Sequence, residues 1–352
     1  MILVIGGAGY IGSHMVKWLL QHGEDVLVMD TFEKGHRAAV VVGRVIEGDL
    51  RRRADLDSVF REHSVQCVMH FAAYASVGDS VRNPAAYYEN NVVGCFTLLE
   101  AMRAHGVKQM IFSSSAAVYG EPKEIPISED HPKQPTNPYG ETKLAMEKML
   151  HWYDIAYGIR SISLRYFNAA GADPEGQIGE DHHPEEHLIP VALAAVLGQR
   201  DKLSVFGTDW PTPDGTCIRD FIHVCDLTEV HRLALDALRN GAKTTAYNLG
   251  NGRGFSVRDV IRVVEKATGR TVPVEAAPRR PGDPARLVAG SERVRKELGW
   301  RPNYPELEVI VQHAWNWRKA NPNGYRLKHS DSMPNPESPS LPHLSRSSRL
   351  VS

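Results

Sequence analysis

The chain has 352 residues, 24% charged and 42% hydrophobic, and its 41 Lys and Arg nearly cancel 42 Asp and Glu to leave a formal net charge of −1. That length gives ample core for one large domain or two fused ones, and the balanced charge offers no footing for nucleic acid or an anionic membrane. Cys67, Cys95, Cys217 and Cys225 form no CxxC pair, which points to neither a zinc site nor a disulfide framework and suits a reducing cytoplasm.

"ILVIGG" (2–7) is a short β-branched run and reads as a buried strand. Helical spacing follows over 10–23 and closes on Gly23. This apolar stretch is therefore strand, turn and helix rather than a leader, which would carry basic residues ahead of its apolar run. "DVLVMD" (25–30) and the strand-like "GRVIEG" (43–48) come next. The patterns then predict helix over 56–64, strand over 65–73, helix over 90–106, strand over 108–116, helix over 142–158 and strand over 160–171. Strands separated by helix-length patterns make βαβ units. The fold class is α/β, a Rossmann-type doubly wound parallel sheet with a smaller C-terminal α/β substrate lobe.

The alternation weakens near 172. "ADPEGQIGEDHHPEEH" (172–187) is polar and turn-rich, and "LSVFG" (203–207), "TCIRDFIHV" (216–224), "AYNLG" (246–250) and a helix over 256–269 follow. The expected division is 1–170 for a dinucleotide, with segments near 221–251 returning to it, and 171–325 for a second ligand. Residues 326–352 are rich in Ser and Pro and bury too little apolar surface to order. No apolar run reaches the length of a membrane span.

Gly7, Gly9 and Gly12 in "GGAGYIG" fit G-x-G-x-x-G, and Gly6 adds the spacing G-x-x-G-x-x-G. Such glycines permit a tight turn and let a pyrophosphate approach the free N–H groups at the helix N-terminus. The spacing alone is a weak signal; the strand before it and the helix after it strengthen it. Asp30 ends the next strand, where a carboxylate takes the adenosine ribose hydroxyls and repels a 2′-phosphate, so NAD is expected over NADP. Asp49 suits either the adenine amine or a turn. The small residues of "HFAAYASV" (70–77) suit either a cofactor lying on the backbone or a tight helix–sheet contact.

In "NPYGETK" (137–143), Asn137 caps a helix, Pro138 fits its first turn, and Tyr139 and Lys143 share one face at i, i+4. An ammonium beside a phenol lowers its pKa, and a phenolate is a competent general base. By itself the pattern is better read as a wet helix face. "FSSSAAVYG" (112–120) changes the balance, because it ends a buried strand at the sheet edge where such folds bind ligands. A Ser hydroxyl there can bridge a substrate hydroxyl and Tyr139, or cap the turn that follows.

Glycine fingerprint, strand-ending Ser and YxxxK together resemble the extended short-chain dehydrogenase/reductase superfamily. In finer detail "YYENNVVG", "LRYFNAAGA", "GEDHHPEEHLIP", "VFGTDWPTPDGTCIRDFIHVCDL", "YNLGNG" and "RRPGDPA" are similar to the UDP-glucose 4-epimerase family, in family order over 1–325. The resemblance implies Tyr139 as base, Lys143 as its modulator and ribose ligand, and Ser115 as the third member. It implies NAD contacts from Gly6, Gly7, Gly9, Tyr10, Ile11, Gly12, Asp30, Asp49, Leu50, Phe71, Ala72, Ala73, Asn90 and Phe167, with Ser115, Tyr139 and Lys143. UDP-sugar contacts would come from Asn168, His187, Leu188, Phe206, Arg219, Arg280 and Asp283, with Ser115 and Tyr139. The implied reaction oxidises C4 of the hexose, turns the 4-keto sugar and reduces it on the other face, which interconverts UDP-galactose and UDP-glucose in galactose metabolism.

Leu287 falls where a Tyr in some members restricts a 2-acetamido group, so N-acetylhexosamines are expected to enter as well. A homodimer is implied too, and residues 85–102 and 140–157 carry more apolar side chains than one sheet face requires. Three positions depart from some members: Ala75 stands for a Lys that contacts cofactor, Ala117 for a Thr, and His187 for an Asn. A sugar-nucleotide dehydratase or decarboxylase would need an acid after Ser115, where Ala116 and Ala117 stand. A pentose 4-epimerase differs only at C6 of the sugar and stays open. No metal is assigned: neighbouring His182 and His183 in "HHPEEH" would not face one way. A non-catalytic NAD module would have no use for the trio.

Overall fold

The computed structural model describes residues 1–325 except 42 and 281. The tail expected to be disordered, 326–352, lies outside the described residues. Strand β1 (Ile2–Ile5) leads through the glycine turn into α1 (Tyr10–Gln21), then β2 (Val26–Asp30) and β3 (Arg44–Glu47). Helix α2 (Arg53–Glu62) returns the chain to β4 (Cys67–His70). Short helices α3 (Val77–Arg82) and α4 (Pro84–Tyr87), a widened π turn (Tyr88–Val93) and α5 (Gly94–Ala104) lead to β5 (Gln109–Ser115). Helix α6 (Pro138–Tyr157) leads to β6 (Arg160–Tyr166). The strand Thr245–Leu249 completes a seven-stranded sheet in the order Thr245–Leu249, β6, β5, β4, β1, β2, β3, parallel throughout.

The strands read as unbroken apolar runs because both faces are covered. Successive side chains point to opposite faces. Leu3, Ile5, Leu27, Met29 and Phe112 pack on α2, α5 and α6. Ile2, Val4, Val26, Val28 and Met69 pack on α1 and the helix Val224–Arg239. The chain runs outward from β1 to β3 and resumes at β4 on the other side of β1. The reversal opens a crevice beyond the carboxyl ends of β1 and β4, where such sheets bind ligands.

The C-terminal region is more regular than its sequence suggests. Helices Leu188–Val196, Val257–Thr268 and Leu307–Ala320 share a core that includes Ile189, Leu193, Val260, Val264, Ile310 and Val311. "LIPVALAAV" (188–196) is apolar on every side, so no 3.6-residue period marks it as a helix. Small sheets join Leu203–Phe206 to Val274–Ala277, and order Phe255–Ser256, Ile218–Arg219 and Arg286–Leu287. Among the described residues no helix is long and apolar enough to cross a membrane.

Two expected strands are cut short, and a third stretch is split. The run 65–73 stops at His70, and the residues beyond it line the crevice. The run 160–171 breaks at Phe167, and Asn168–Ala170 leaves the main sheet to pair with Phe221–His223. The run 216–224 breaks at Asp220, a fully buried residue whose carboxylate accepts N–H bonds from Asn251 (2.9 Å), Gly252 (2.9 Å) and Ala289 (3.1 Å). The local pattern marks no break at that residue; these long-range bonds make it.

Candidate active site

The glycine turn is built for close approach. A Cβ on Gly6 would lie 2.5 Å from the Ala72 nitrogen, and one on Gly12 would lie 2.2 Å from the Gly6 oxygen. Gly6 also has φ +79°, a conformation that side chains disfavour. The turn therefore seats the N-terminus of α1 against the end of β4, and Tyr10 and Ile11 open the helix behind it. Asp30, at the end of β2, accepts from Ala8 N and Phe32 N, both at 2.9 Å, which fixes its carboxylate beside the glycines. Each oxygen keeps a lone pair for a ribose hydroxyl. The cradle fits a dinucleotide: small residues where its phosphates lie, a fixed anion where its ribose lies.

Asp49 follows β3 next to buried Leu50, but its carboxylate is engaged locally. It takes three bonds from Arg51: backbone N at 2.9 Å, Nε at 3.0 Å and Nη2 at 2.7 Å. Burial alone would raise its pKa, and Arg51 holds it below the ordinary carboxylate range. Phe71, Ala72 and Ala73 follow β4 half-buried. Asn90 and Asn91 sit in the π turn. Asn91, fully buried, accepts from Tyr74 N at 2.9 Å and donates to Tyr74 O at 3.1 Å and Thr142 Oγ1 at 3.0 Å. It thus ties the crevice wall to α6 between Tyr139 and Lys143, a role the sequence did not mark.

The three residues expected to be catalytic converge where β5 ends and α6 begins. Asn137 Oδ1 caps α6 by accepting from Gly140 N at 2.9 Å. Lys143 is 2% exposed, and its Nζ donates to Ser113 O at 2.7 Å and lies 5.8 Å from the Tyr139 ring centre. Burial lowers the lysine to about 8, against weaker upward pulls from Cys95 and Glu147. Burial also pushes the Tyr139 phenol above its ordinary value, and the neighbouring Ser115 hydroxyl pulls it back. The lowering expected from Lys143 does not appear in the protein alone, where burial sets the direction for Tyr139 and Ser115 is what opposes it. Ser115 Oγ also accepts from Ala117 N at 3.1 Å, so it caps the following turn while facing Tyr139.

A buried network supports this corner. Arg165, 4% exposed, donates to Glu147 through Nε (2.9 Å) and Nη2 (2.7 Å) and to Tyr119 Oη through Nη1 (2.7 Å). Ser114 Oγ donates to the same Glu147 at 2.6 Å. Glu147 follows Lys143 by one helical turn, so the pair locks α6 onto β5 and β6. Nothing in the sequence pattern distinguishes Glu147 from a solvated helix residue.

The second wall comes from the C-terminal region. The Arg280 guanidinium stacks 4.4 Å over the Phe206 ring and donates to Asp283 at 3.0 Å. Arg219 lies 3.8 Å from the same Asp283 and donates to Ile218 O and Pro284 O, both at 2.9 Å. Leu287 pairs in register with Arg219 and packs, with Phe167, on Val118, Tyr119, Ile127 and Leu144. Val118 and Leu144 adjoin the trio, so Leu287 joins the two walls. Asn168 is held by Asp220 O at 2.8 Å. Leu188 opens its helix half-buried, but the His187 Nδ1 before it is turned to Glu180 (2.8 Å) and Glu185 (3.1 Å).

Comparison with known proteins follows these lines. A model of the NAD dependent epimerase/dehydratase family matches residues 2–250. The chain is 56% identical over 330 residues to a UDP-glucose 4-epimerase of Halalkalibacterium halodurans, covering 94% of this chain and 99% of that one. It is similar to the crystal structure of UDP-glucose 4-epimerase from Brucella ovis in complex with NAD, at 47% identity and a TM-score of 0.87, over 89% of this chain and 97% of that one. It is also similar to the enzyme from Bifidobacterium longum in complex with NAD+ and UDP, at 39% identity and a TM-score of 0.88, over 92% and 99%.

Proposed function

The chain belongs to the NAD-dependent epimerase/dehydratase family, among its UDP-glucose 4-epimerases, and from that premise we propose that it interconverts UDP-galactose and UDP-glucose on bound NAD. The observation that carries this reading is the meeting of Tyr139, Lys143 and Ser115 beside the Leu287–Arg219 wall. NAD, when bound, supplies reversible two-electron oxidation at C4 of the hexose. Tyr139 takes the proton of the C4 hydroxyl, directly or through Ser115, and returns it once the sugar has turned. Lys143 carries the charge that favours the phenolate and offers its N–H groups to ribose hydroxyls. Arg219 and Arg280 suit a diphosphate, and Phe206 offers a face to uracil. A grip on the shared UDP leaves the hexose free to rotate, so one site serves both sugars.

The division of labour follows: residues 1–170, with the segments near 221–251, hold NAD, and 171–325 chiefly hold the UDP-sugar. A homodimer is supported by large exposed apolar side chains on α5 and α6, including Phe96 (49% exposed), Trp152 (64%) and Ile155 (63%). Single apolar residues on a surface are ordinary, but a shared patch marks an interface. Four free cysteines suit the cytoplasm. Incubation of purified protein with UDP-galactose, without added cofactor, should yield UDP-glucose. Absence of product, or a strict need for NADP, overturns the assignment.

A further inference from the structure

Apart from His187, which the resemblance gives to the UDP-sugar, the polar segment 180–187 has no part in the chemistry above. Its backbone turns alternate side chains to opposite sides. Asp181 and His183 go one way, where Asp181 accepts from Tyr325 N at 2.9 Å and faces Arg318 at 3.6 Å. Glu180 and His182 go the other way and meet Glu185 and His187. His182 and His183 do point apart, as their adjacency requires, yet His182 finds its partner five residues on.

We propose that Glu180, His182, Glu185 and His187 form a binding site for one zinc-like divalent cation. Four ligand atoms converge: a carboxylate oxygen from each Glu and Nδ1 from each His. His182 Nδ1 lies 3.3 Å from Glu180 Oε1 and 3.6 Å from Glu185 Oε2. His187 Nδ1 lies 2.8 Å from Glu180 Oε1 and 3.1 Å from Glu185 Oε1. A tetrahedral ion with ligand distances of about 2.0–2.2 Å needs ligand–ligand edges of about 3.3–3.5 Å. The His–Glu distances, which reach Glu180 Oε1 and both oxygens of Glu185, run from 2.8 to 3.6 Å and bracket that value, so small side-chain rotations bring one oxygen of each Glu into the shell.

A second observation points the same way. Glu180 is 7% exposed, and its Oε1, aimed into the cluster, makes no hydrogen bond of good geometry although both imidazoles stand at ion-pair distance from it; nor does the buried His182 Nδ1. Buried polar atoms are nearly always satisfied, and an ion is one of the few things that satisfies both of these at once. Two imidazoles with two carboxylates favour zinc, nickel or cobalt over magnesium or calcium, which prefer all-oxygen shells. The ion has a structural role: it pins the residue before Leu188, where the helix Leu188–Val196 begins, to a ring that packs edge-on against Tyr10 at 6.2 Å. It therefore braces the segment between the glycine turn and the second wall. The proposal stands independently of the epimerase reading.

The test uses the full-length, tag-free holoprotein. It is equilibrated with excess zinc sulfate, desalted and assayed for metal by mass spectrometry. One zinc per chain is expected in wild type, with less than a tenth of that in His182→Ala and in Glu180→Gln. Chelation should lower the thermal midpoint of wild type, and returned zinc should restore it. Cobalt(II) in wild type gives a second readout, the intense visible absorption of a tetrahedral ion, should a variant not fold. Zinc retained by either folded variant, or wild type that leaves the desalting column metal-free and without a cobalt spectrum, overturns the site.

Discussion

Lys143→Met should make the nucleotide-free protein more stable at pH 7 while nearly abolishing turnover. Lys143 is 2% exposed and its ammonium has one hydrogen-bond partner, Ser113 O. Burial takes it from an ordinary 10.5 to about 8, which corresponds to about 3 kcal/mol of stability given up to keep it charged at pH 7. Met has similar length and adapts to irregular space, and losing the charged hydrogen bond offsets about 2 kcal/mol. The expected net gain is about 1 kcal/mol. The sign of the pH dependence follows from the folded value lying below the unfolded one. Between about 8 and 10.5 the unfolded chain binds more protons, so wild type gains stability as pH rises through that window and loses it as pH falls. The advantage of the variant should therefore be full at pH 7 and shrink by pH 10. Urea unfolding of NAD-stripped protein at both pH values measures it. A variant less stable than wild type at pH 7, or a gap that does not narrow, refutes the account of Lys143 as a cation kept in the pocket for the reaction against the preference of the fold.

Tyr139→Phe should fold, retain NAD and lose about 10²–10⁴ in kcat; near-normal turnover would remove Tyr139 as the base. Because burial raises the phenol, kcat/KM for UDP-galactose in wild type should climb as pH rises above neutrality, and a flat profile would contradict this. Glu147→Gln strands the buried Arg165 guanidinium and should destabilise the protein by about 3–5 kcal/mol in urea unfolding; a loss under 1 kcal/mol would show the pair to be solvated. Trp152→Glu with Ile155→Glu should convert a dimer to a monomer by light scattering, whereas an unchanged mass would place the interface elsewhere. Leu287→Tyr should depress kcat/KM for UDP-N-acetylgalactosamine more than for UDP-galactose, and an equal effect on both would show that Leu287 is not the gate.

The main sheet was legible because its signals are local. β-branched runs, helical spacing and the glycine turn each act within a few residues, and β1, β2, β5 and α6 fall where those patterns place them. Asn137, Tyr139 and Lys143 were legible for the same reason: one helix cap and one helical turn set their relation. What the tertiary structure decided depends on partners far along the chain. Asp220 splits the stretch 216–224 because it binds N–H groups at 251, 252 and 289. Asp49 pairs with Arg51, a partner that spacing alone does not pick out. Arg165 and Glu147 read as surface charges until β6 and α6 bury them together. Tyr139 and Lys143 are adjacent by sequence, but their protonation belongs to the pocket. Spacing brings the two charges near each other, and only the packed walls set the desolvation that raises one and lowers the other.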